Sequence, residues 1–489
     1  MSMRSRFLTL IPALIPSALL AQEGGSLFTP DFPPQEFAAR RAKVMDAIGP
    51  EAIALVQGAP TPVGYVRFRQ SNEFYYLTGV EAPHAYLLID GATRKSTLFL
   101  PDQKAGRERS EGKVLSTADA DFIINELGFE GAHDPVVMTE HLQERTKRQP
   151  VPAVYTMFSP AEGLSVSRDL GRRRVSDISA DPWDGRPSRE QNFIGLIKGR
   201  FPVFEVQDLT SILDQLRLIK SERELDLIRK ATRLSGLGLM EAMRSTEPEI
   251  HERDLDAVAK YVFYLNGAQG QGYYSLIASA SNAYFPHYNA GKRIMQDGDF
   301  LLMDYAPDVG YYTSDVTRMW PVNGKFSPWQ RELYGFYVGC YRAVLERIRP
   351  HVTGQQVVKE ALVEMEKILA ASTFSKPEYQ RAAEGFVASY RSRSDNPRTG
   401  LGHGVGMAVH DVGRSNGQLL PGMVFTIEPA LRVPEERIYI RLEDLIIITE
   451  DGAELTSDFL PMDMDAIEKL MQEPGMLQRY PKLVRGVNR

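Results

Sequence analysis

Apolar positions recur at two periods along this chain, and the alternation between them divides it. Phe37, Val44 and Ile48 share one helical face, with Arg40 and Lys43 pointing elsewhere, which predicts an amphipathic helix over 37–48. Residues 52–57, 85–90 and 96–100 are short apolar runs, the last two around a Gly91 turn, and predict strands. Strands alternating with helical stretches predict an α/β layer domain. The aromatic stretch 65–79 reads mostly as core packing. In residues 105–190, Arg172-Arg173-Arg174 predicts a solvated face and Trp183 a core residue. The pattern breaks at 197–202, which predicts a domain boundary near residue 200.

Beyond that break the helical period takes over. A helix is predicted over 209–218. Ser221-Glu222-Arg223-Glu224 is a capping box opening a second, and Thr246-Glu247-Pro248-Glu249 another opening a third that runs to about residue 265. Helices are also predicted over 330–349, 357–369 and 462–472. Within 374–400 the basic, polar stretch 391–398 reads as a loop running into the His403 segment, and 478–489 as a loose basic tail.

Between the helical stretches the period drops to two, and there the acids gather. Residues 300–303 are an apolar strand ending in Asp304, and 311–320 read as its return, with Tyr311, Thr313, Asp315 and Thr317 on one face. A turn centred between Val309 and Gly310 would set Asp304 opposite Asp315. Residues 423–428 predict a strand stopped by Pro429, and 438–449 another. A connection centred between Glu435 and Glu436 would set Glu428 opposite Glu443, with Arg441 on the same face. Opposed like charges about 4.5–5.5 Å apart are destabilising without a cation.

His403 lies in Gly400-Leu401-Gly402-His403-Gly404-Val405-Gly406, where glycines allow close backbone approach. An imidazole beside four carboxylates is a ligand set for hard or borderline divalent ions. Four negative charges balance two such ions, and two ions about 3.5–4 Å apart can make a shared water nucleophilic near neutral pH.

The chain has 489 residues, which is natural for two domains. Its 43% hydrophobic and 25% charged content is that of a globular protein, and a net charge of −6 argues against nucleic acid and anionic membranes as partners. Cys340 is the only cysteine, so no intrachain disulfide forms; it reads as a packed core thiol. Arg4 and Arg6 precede an apolar stretch broken by Pro12 and Pro16, and Ala21 precedes a polar run. Residues 1–21 therefore predict a cleaved secretory signal and a periplasmic or secreted mature protein, with no further membrane span.

The strings Met303-Asp304-Tyr305, Ser314-Asp315-Val316-Thr317-Arg318, Gly402-His403-Gly404, Val409-His410-Asp411, Thr426-Ile427-Glu428-Pro429 and Ile440-Arg441-Leu442-Glu443-Asp444 resemble the pita-bread metallopeptidases, in the branch of aminopeptidase P and prolidase. Phe68-Arg69-Gln70 with Phe74-Tyr75-Tyr76-Leu77-Thr78-Gly79 resembles the N-terminal domain of aminopeptidase P. The resemblance implies an α/β (α+β) chain: a creatinase-like N-terminal domain over 22–200, a pita-bread catalytic domain over 201–460 and a tail over 461–489. It implies metal ligands Asp304, Asp315, His403, Glu428 and Glu443. Asp315 and Glu443 would bridge two ions, Asp304 would complete one, and His403 with Glu428 the other. Manganese is the implied metal, with zinc, cobalt and iron as alternatives.

Glu428 would also accept the proton of the attacking water. His287 and His410 would stabilise the oxyanion and the departing nitrogen, and Arg441 would hold Glu443 or Asp315. His84, His133, His141, His251 and His351 match no such position. The implied substrate is a peptide with proline second, and a dimer or tetramer is usual. Alternatives are a prolidase acting on Xaa-Pro dipeptides, a non-catalytic peptide-binding protein of this fold, and a metal-independent hydrolase of creatinase type. One position departs from the pattern: Thr399 stands where the proline-directed members usually carry a histidine, four residues before the ligand histidine.

Overall fold

A computed structural model describes residues 27–480 of the chain. The leader expected at 1–21 lies outside the described residues. No helix among them is long and apolar enough to cross a membrane.

The first part is a six-stranded sheet of β1 (Ala52–Gln57), β2 (Tyr86–Asp90), β3 (Lys95–Phe99), β4 (Gly131–His133), β5 (Ala153–Thr156) and β6 (Val206–Asp208), in the order β4-β3-β2-β1-β5-β6. The sheet thus extends past residue 200, through β6. Alternation builds its two sides. Ala54, Val56, Leu87, Ile89 and Leu98 face the helix Pro34–Ile48 and the main core. Ile53, Leu55, Leu88 and Phe99 face a second cluster with Leu142, Phe193 and Ile197.

Two expectations fail here. Arg40 is buried rather than outward: its guanidinium lies 4.2 Å from the centre of the Tyr76 ring, 2.9 Å from Glu36 and 3.6 Å from Glu224. Pairing and stacking permit this burial. Trp183 is 96% exposed, because its segment leaves the sheet between two helices, Arg168–Ala180 and Arg189–Arg200. Arg172, Arg173 and Arg174 are exposed as expected.

The second part follows through the helices Thr210–Leu218, Glu222–Ser245 and Glu252–Leu265. The Ser221 box forms as expected. The one expected at Thr246 does not. Thr246 instead ends the preceding helix, its hydroxyl donating to the Ala242 carbonyl and accepting from Trp320 Nε1. The next helix starts at His251, whose N–H donates to Asp254 at 2.8 Å.

The strands continue as β7 (Gly270–Gln271), β8 (Leu276–Ser279), β9 (Phe300–Asp304), β10 (Pro307–Asp308) and β11 (Thr317–Pro321). They form a β11-β9-β8 sheet and a β10-β7 pair. The other half holds β12 (His403–Gly404), β13 (Asp411–Arg414), β14 (Val424–Ile427), β15 (Ala430–Val433), β16 (Ile438–Arg441), β17 (Asp444–Ile448) and β18 (Ala453–Leu455). These give a β13-β12-β14-β17-β18 sheet and a β15-β16 pair.

Helices Pro328–Leu345, Gly354–Ala371 and Pro377–Ser394 lie between the halves in sequence. The last runs through Ser394 and so takes up the first half of the loop expected at 391–398. Tyr379, Ala383, Phe386, Val387 and Tyr390 bury one face of it, while Arg391 and Arg393 on its other face obscured the period. Cys340 is buried in the first of the three, and burial pushes its thiol pKa up to about 12.

Candidate metal centre and active site

Both acidic hairpins form, and their registers differ from expectation in one case. Strands β9 and β11 pair Asp304 with Thr317 and Met303 with Arg318. Val309 and Tyr312 close the turn with paired backbone bonds of 2.8 and 3.0 Å. The turn is therefore centred on Gly310 and Tyr311, one residue later than expected, with φ of 58° and 74° at those residues. That is the two-residue hairpin turn needing positive φ at both centres. Asp304 consequently faces Thr317, not Asp315. The slip is two residues, so every side chain keeps its face.

A tyrosine in the left-handed region costs about 1–2 kcal/mol. Contacts from the first domain offset this. The Tyr311 ring stacks on Tyr75 at 3.4 Å, and its hydroxyl donates to Glu81 at 2.6 Å and accepts from the Gln70 N–H at 2.8 Å.

The second hairpin has the expected register. Ile427 faces Asp444 and Ala430 faces Arg441, which sets Glu428 opposite Glu443. The first strand stops at Pro429 as expected and the chain resumes as β15, while the strand expected over 438–449 breaks at Leu442-Glu443, so each acid sits at a kink between two sheets. Tyr337 donates to the Pro429 carbonyl at 2.6 Å and Tyr341 to the Ile427 carbonyl at 3.0 Å, holding the kink from the helix Pro328–Leu345. Below it, buried Arg318 pairs with Asp444 at 2.7 Å.

His403 enters on β12. Gly402 must be glycine, since a Cβ there would overlap the Thr426 carbonyl oxygen. His403 Nδ1 lies 3.1 Å from the Gly404 carbonyl. That leaves Nε2 facing Glu428 at 3.3 Å, Asp315 at 3.5 Å and Glu443 at 4.0 Å. Donor atoms of Asp315, His403 and Glu443 all lie within 4.8 Å of one another. Arg441 spans the remaining two acids, with one Nη on Asp304 and the other 3.3 Å from Glu428. It also lies 3.9 Å from Glu443, the first of the two acids it was expected to hold, and makes no pair with the other, Asp315.

The electrostatics are those of acids crowded without enough positive charge. Burial first, then the charge of Asp304, pushes the Asp315 carboxyl well above the usual range. Burial, then Asp315, does the same to Glu443. Burial opposes ionisation of Glu428, but its hydrogen bond with His403 and the Arg441 charge hold it below normal. Burial alone would lower His403; its hydrogen bond to Glu428 and the charge of Asp315 outweigh it and lift the imidazole to about 9. Glu443 Oε1 is buried and accepts no hydrogen bond. A cluster of four carboxylates and one imidazole, with a buried oxygen left free, fits divalent cations.

Of the other expected residues, His410 is at the site: its ring centre is 4.3 Å from that of His403. His287 is exposed and shares no hydrogen bond, ion pair or ring contact with the cluster. Two residues were missed. The Tyr273 hydroxyl donates to Asp304 at 2.6 Å and Asp315 at 2.8 Å, and burial with those charges holds it protonated. Thr317 donates to Glu443 at 2.8 Å. The register slip hid Thr317, and nothing periodic around Gly272-Tyr273-Tyr274 marked Tyr273.

A seam of two kinked hairpins turning their acids onto one imidazole defines a metallopeptidase of the pita-bread class. A profile described as metallopeptidase family M24 matches residues 226–450, and one described as aminopeptidase P, N-terminal domain, matches 37–155. A Xaa-Pro aminopeptidase from Haemophilus influenzae is 28% identical over 460 residues, covering 90% of this chain and 97% of that protein. A mitochondrial intermediate cleaving peptidase 55 from Arabidopsis thaliana is 27% identical over 459 residues, covering 91% and 84%. The structure of aminopeptidase P from E. coli with the inhibitor Pro-Leu superposes with a TM-score of 0.71 at 27% identity, covering 90% of this chain and 98% of that one. The chain belongs to the aminopeptidase P family.

Proposed function

We propose that the protein removes the N-terminal residue from peptides whose second residue is proline, using two divalent ions, manganese in preference to zinc, cobalt or iron. The observation that carries this is the convergence of Asp315, His403 and Glu443 within 4.8 Å, with Glu443 Oε1 left without a partner. Asp304, Asp315, His403, Glu428 and Glu443 would hold the ions. Bound there, the ions supply Lewis-acid polarisation and a water that is nucleophilic near neutral pH.

The chain's own groups do the rest. Glu428, half-buried at the open side of the cluster, accepts a proton. Arg441 keeps Asp304 and Glu428 at fixed separation, and Tyr273 orients Asp304 and Asp315. The imidazole of His410 donates to charge developing on the scissile carbonyl. His287, exposed at the surface, is proposed to meet the substrate carbonyl. Tyr273, Ala306 and Val409 form a small apolar cluster bordering the acids, which suits a proline ring. The same proposal includes export, from the leader-like residues 1–21, and a homo-oligomer.

One observation favours a second reading. Thr399 is buried and its hydroxyl donates to the Arg393 carbonyl at 2.6 Å, so it offers the cleft no imidazole. A pocket built this way would relax the demand for proline. The test is a chelator-stripped, manganese-resupplied enzyme assayed on a Xaa-Pro-Xaa tripeptide, a Xaa-Pro dipeptide and a Met-Ala-Xaa tripeptide. Cleavage of the first alone supports the proposal. Cleavage of the dipeptide alone makes the protein a prolidase, and cleavage of the Met peptide supports the relaxed pocket. Metal binding without cleavage of any peptide leaves a peptide-binding protein.

A further inference from the structure

The catalytic loop that carries His403 and His410 is gripped by the first domain. Asn72 Nδ2 donates to the Met407 carbonyl at 2.8 Å and to Glu162 at 3.2 Å. Arg217 joins Glu162, at 2.7 Å, to Asp411, and all three side chains are 1% exposed. Lys220 lies 3.5 Å from Asp411. Arg168 ties Glu162, at 3.1 Å, to Asp214, at 2.6 Å. The main chain on both sides of His410 is thereby fixed by a buried ionic network. Ser167 accepts the His410 backbone N–H at 3.2 Å.

Two residues further along that segment, Asp169 reaches the ring itself. Its Oδ2 lies 2.9 Å from His410 Nδ1. Asp169 sits in the first turn of the helix Arg168–Ala180, where the helix dipole favours a carboxylate. A carboxylate accepts and does not donate, so it selects the Nδ1–H tautomer of a neutral ring and directs Nε2 away from itself. We propose that Asp169, from the first domain, is a positioning residue for His410: it fixes the tautomer and plane of the imidazole, so that the first domain completes the reactive centre rather than merely flanking it. This rests on the role given to His410 in the reaction proposed above.

The pair is half-exposed, 38% at the His410 side chain and 54% at Asp169. Pairs of that exposure add about 1 kcal/mol or less to stability. A purely structural contact would thus leave both stability and turnover nearly unchanged, which separates the two roles.

The test uses full-length enzyme with Asp169→Ala, Asp169→Asn and Asp169→Glu. On the Xaa-Pro-Xaa tripeptide with manganese, Asp169→Ala and Asp169→Asn should lower kcat by about 10–100-fold. KM, metal content and melting temperature should stay as in the wild type, and Asp169→Glu should recover part of kcat. Ring 15N spectra of the zinc-loaded enzyme, with His410 assigned from His410→Gln, should show the Nδ1–H tautomer in the wild type and its loss in Asp169→Ala. Unchanged kcat and an unchanged tautomer in Asp169→Ala would overturn the proposal, as would a fall in kcat matched by loss of metal. If the wild type cleaves no peptide, the reaction proposed above fails, and the spectra alone decide: a retained Nδ1–H tautomer in Asp169→Ala refutes positioning, and its loss supports it.

Discussion

Thr317 and Glu443 exchange both of their backbone hydrogen bonds, at 3.2 and 3.1 Å, and the Thr317 hydroxyl donates to Glu443 Oε2 at 2.8 Å. This is where the two hairpins meet. The backbone pair joins the halves of the catalytic domain, and the side-chain bond turns one Glu443 oxygen aside while leaving Oε1 free for an ion. Thr317 Oγ1 also accepts from Arg441 at 3.2 Å. Thr317→Val keeps shape and backbone but removes both bonds. Metal affinity should fall about 10–100-fold, read by calorimetric titration with manganese, while circular dichroism at room temperature stays unchanged. Unaltered affinity would mean that Glu443 is oriented without Thr317.

Asp315 lies between acids, so it is destabilising until a cation arrives. Asp315→Asn should abolish metal binding and turnover together. The metal-free variant should melt at or above the metal-free wild type, because a buried carboxyl held above its normal range by burial and Asp304 is replaced by a neutral isostere. A variant that keeps its metal and full activity would remove Asp315 from the centre.

The legible part of this molecule was its acidic hairpins. Four acids on short apolar strands show through any reasonable register, because a slip of two residues preserves faces. The true register needed Tyr311 at positive φ, and that conformation depends on Tyr75, Gln70 and Glu81, some 230 residues away in sequence. Local patterns do not carry such contacts. Arg40 read as outward in part for the same reason: of its partners, Tyr76 lies 36 residues on and Glu224 in the other domain. The helix Pro377–Ser394 was hidden by its own basic face. Tyr273 and Asp169 reach the site through long-range side-chain bonds, with no spacing to announce them.

Glu73 shows what the buried network between the domains does under pH. Burial first, then the charge of Glu162, lifts its carboxyl from 4.5 to about 8, against the opposing Arg217. A carboxyl raised in the folded state contributes stability that is fully present below about pH 4.5 and is lost as pH rises through about 8. The wild type should therefore lose melting temperature across that window. Glu73→Gln removes that titration. The variant should match the wild type at pH 5 and melt higher at pH 9, by scanning calorimetry of metal-free protein. Parallel pH curves for the two would place the proton elsewhere in the network.

Gly402 tests whether the His403 strand must approach β14 this closely. A Cβ at Gly402 would overlap the Thr426 backbone oxygen and crowd its hydroxyl, and neither atom sits at the end of a flexible side chain. Relief requires β12 to move away from β14, carrying His403 from Glu428 and Asp315. Overpacking of this kind costs about 1–3 kcal/mol. Gly402→Ala should lower stability by about that amount in denaturant unfolding and weaken metal binding. The first sheet shares no strand pairing with β12 or β14, so near-ultraviolet dichroism from its aromatics should persist. If Gly402→Ala binds metal as tightly as the wild type, His403 reaches the acids by a backbone path that tolerates a side chain at residue 402, and the close pairing of β12 with β14 is not what positions the imidazole.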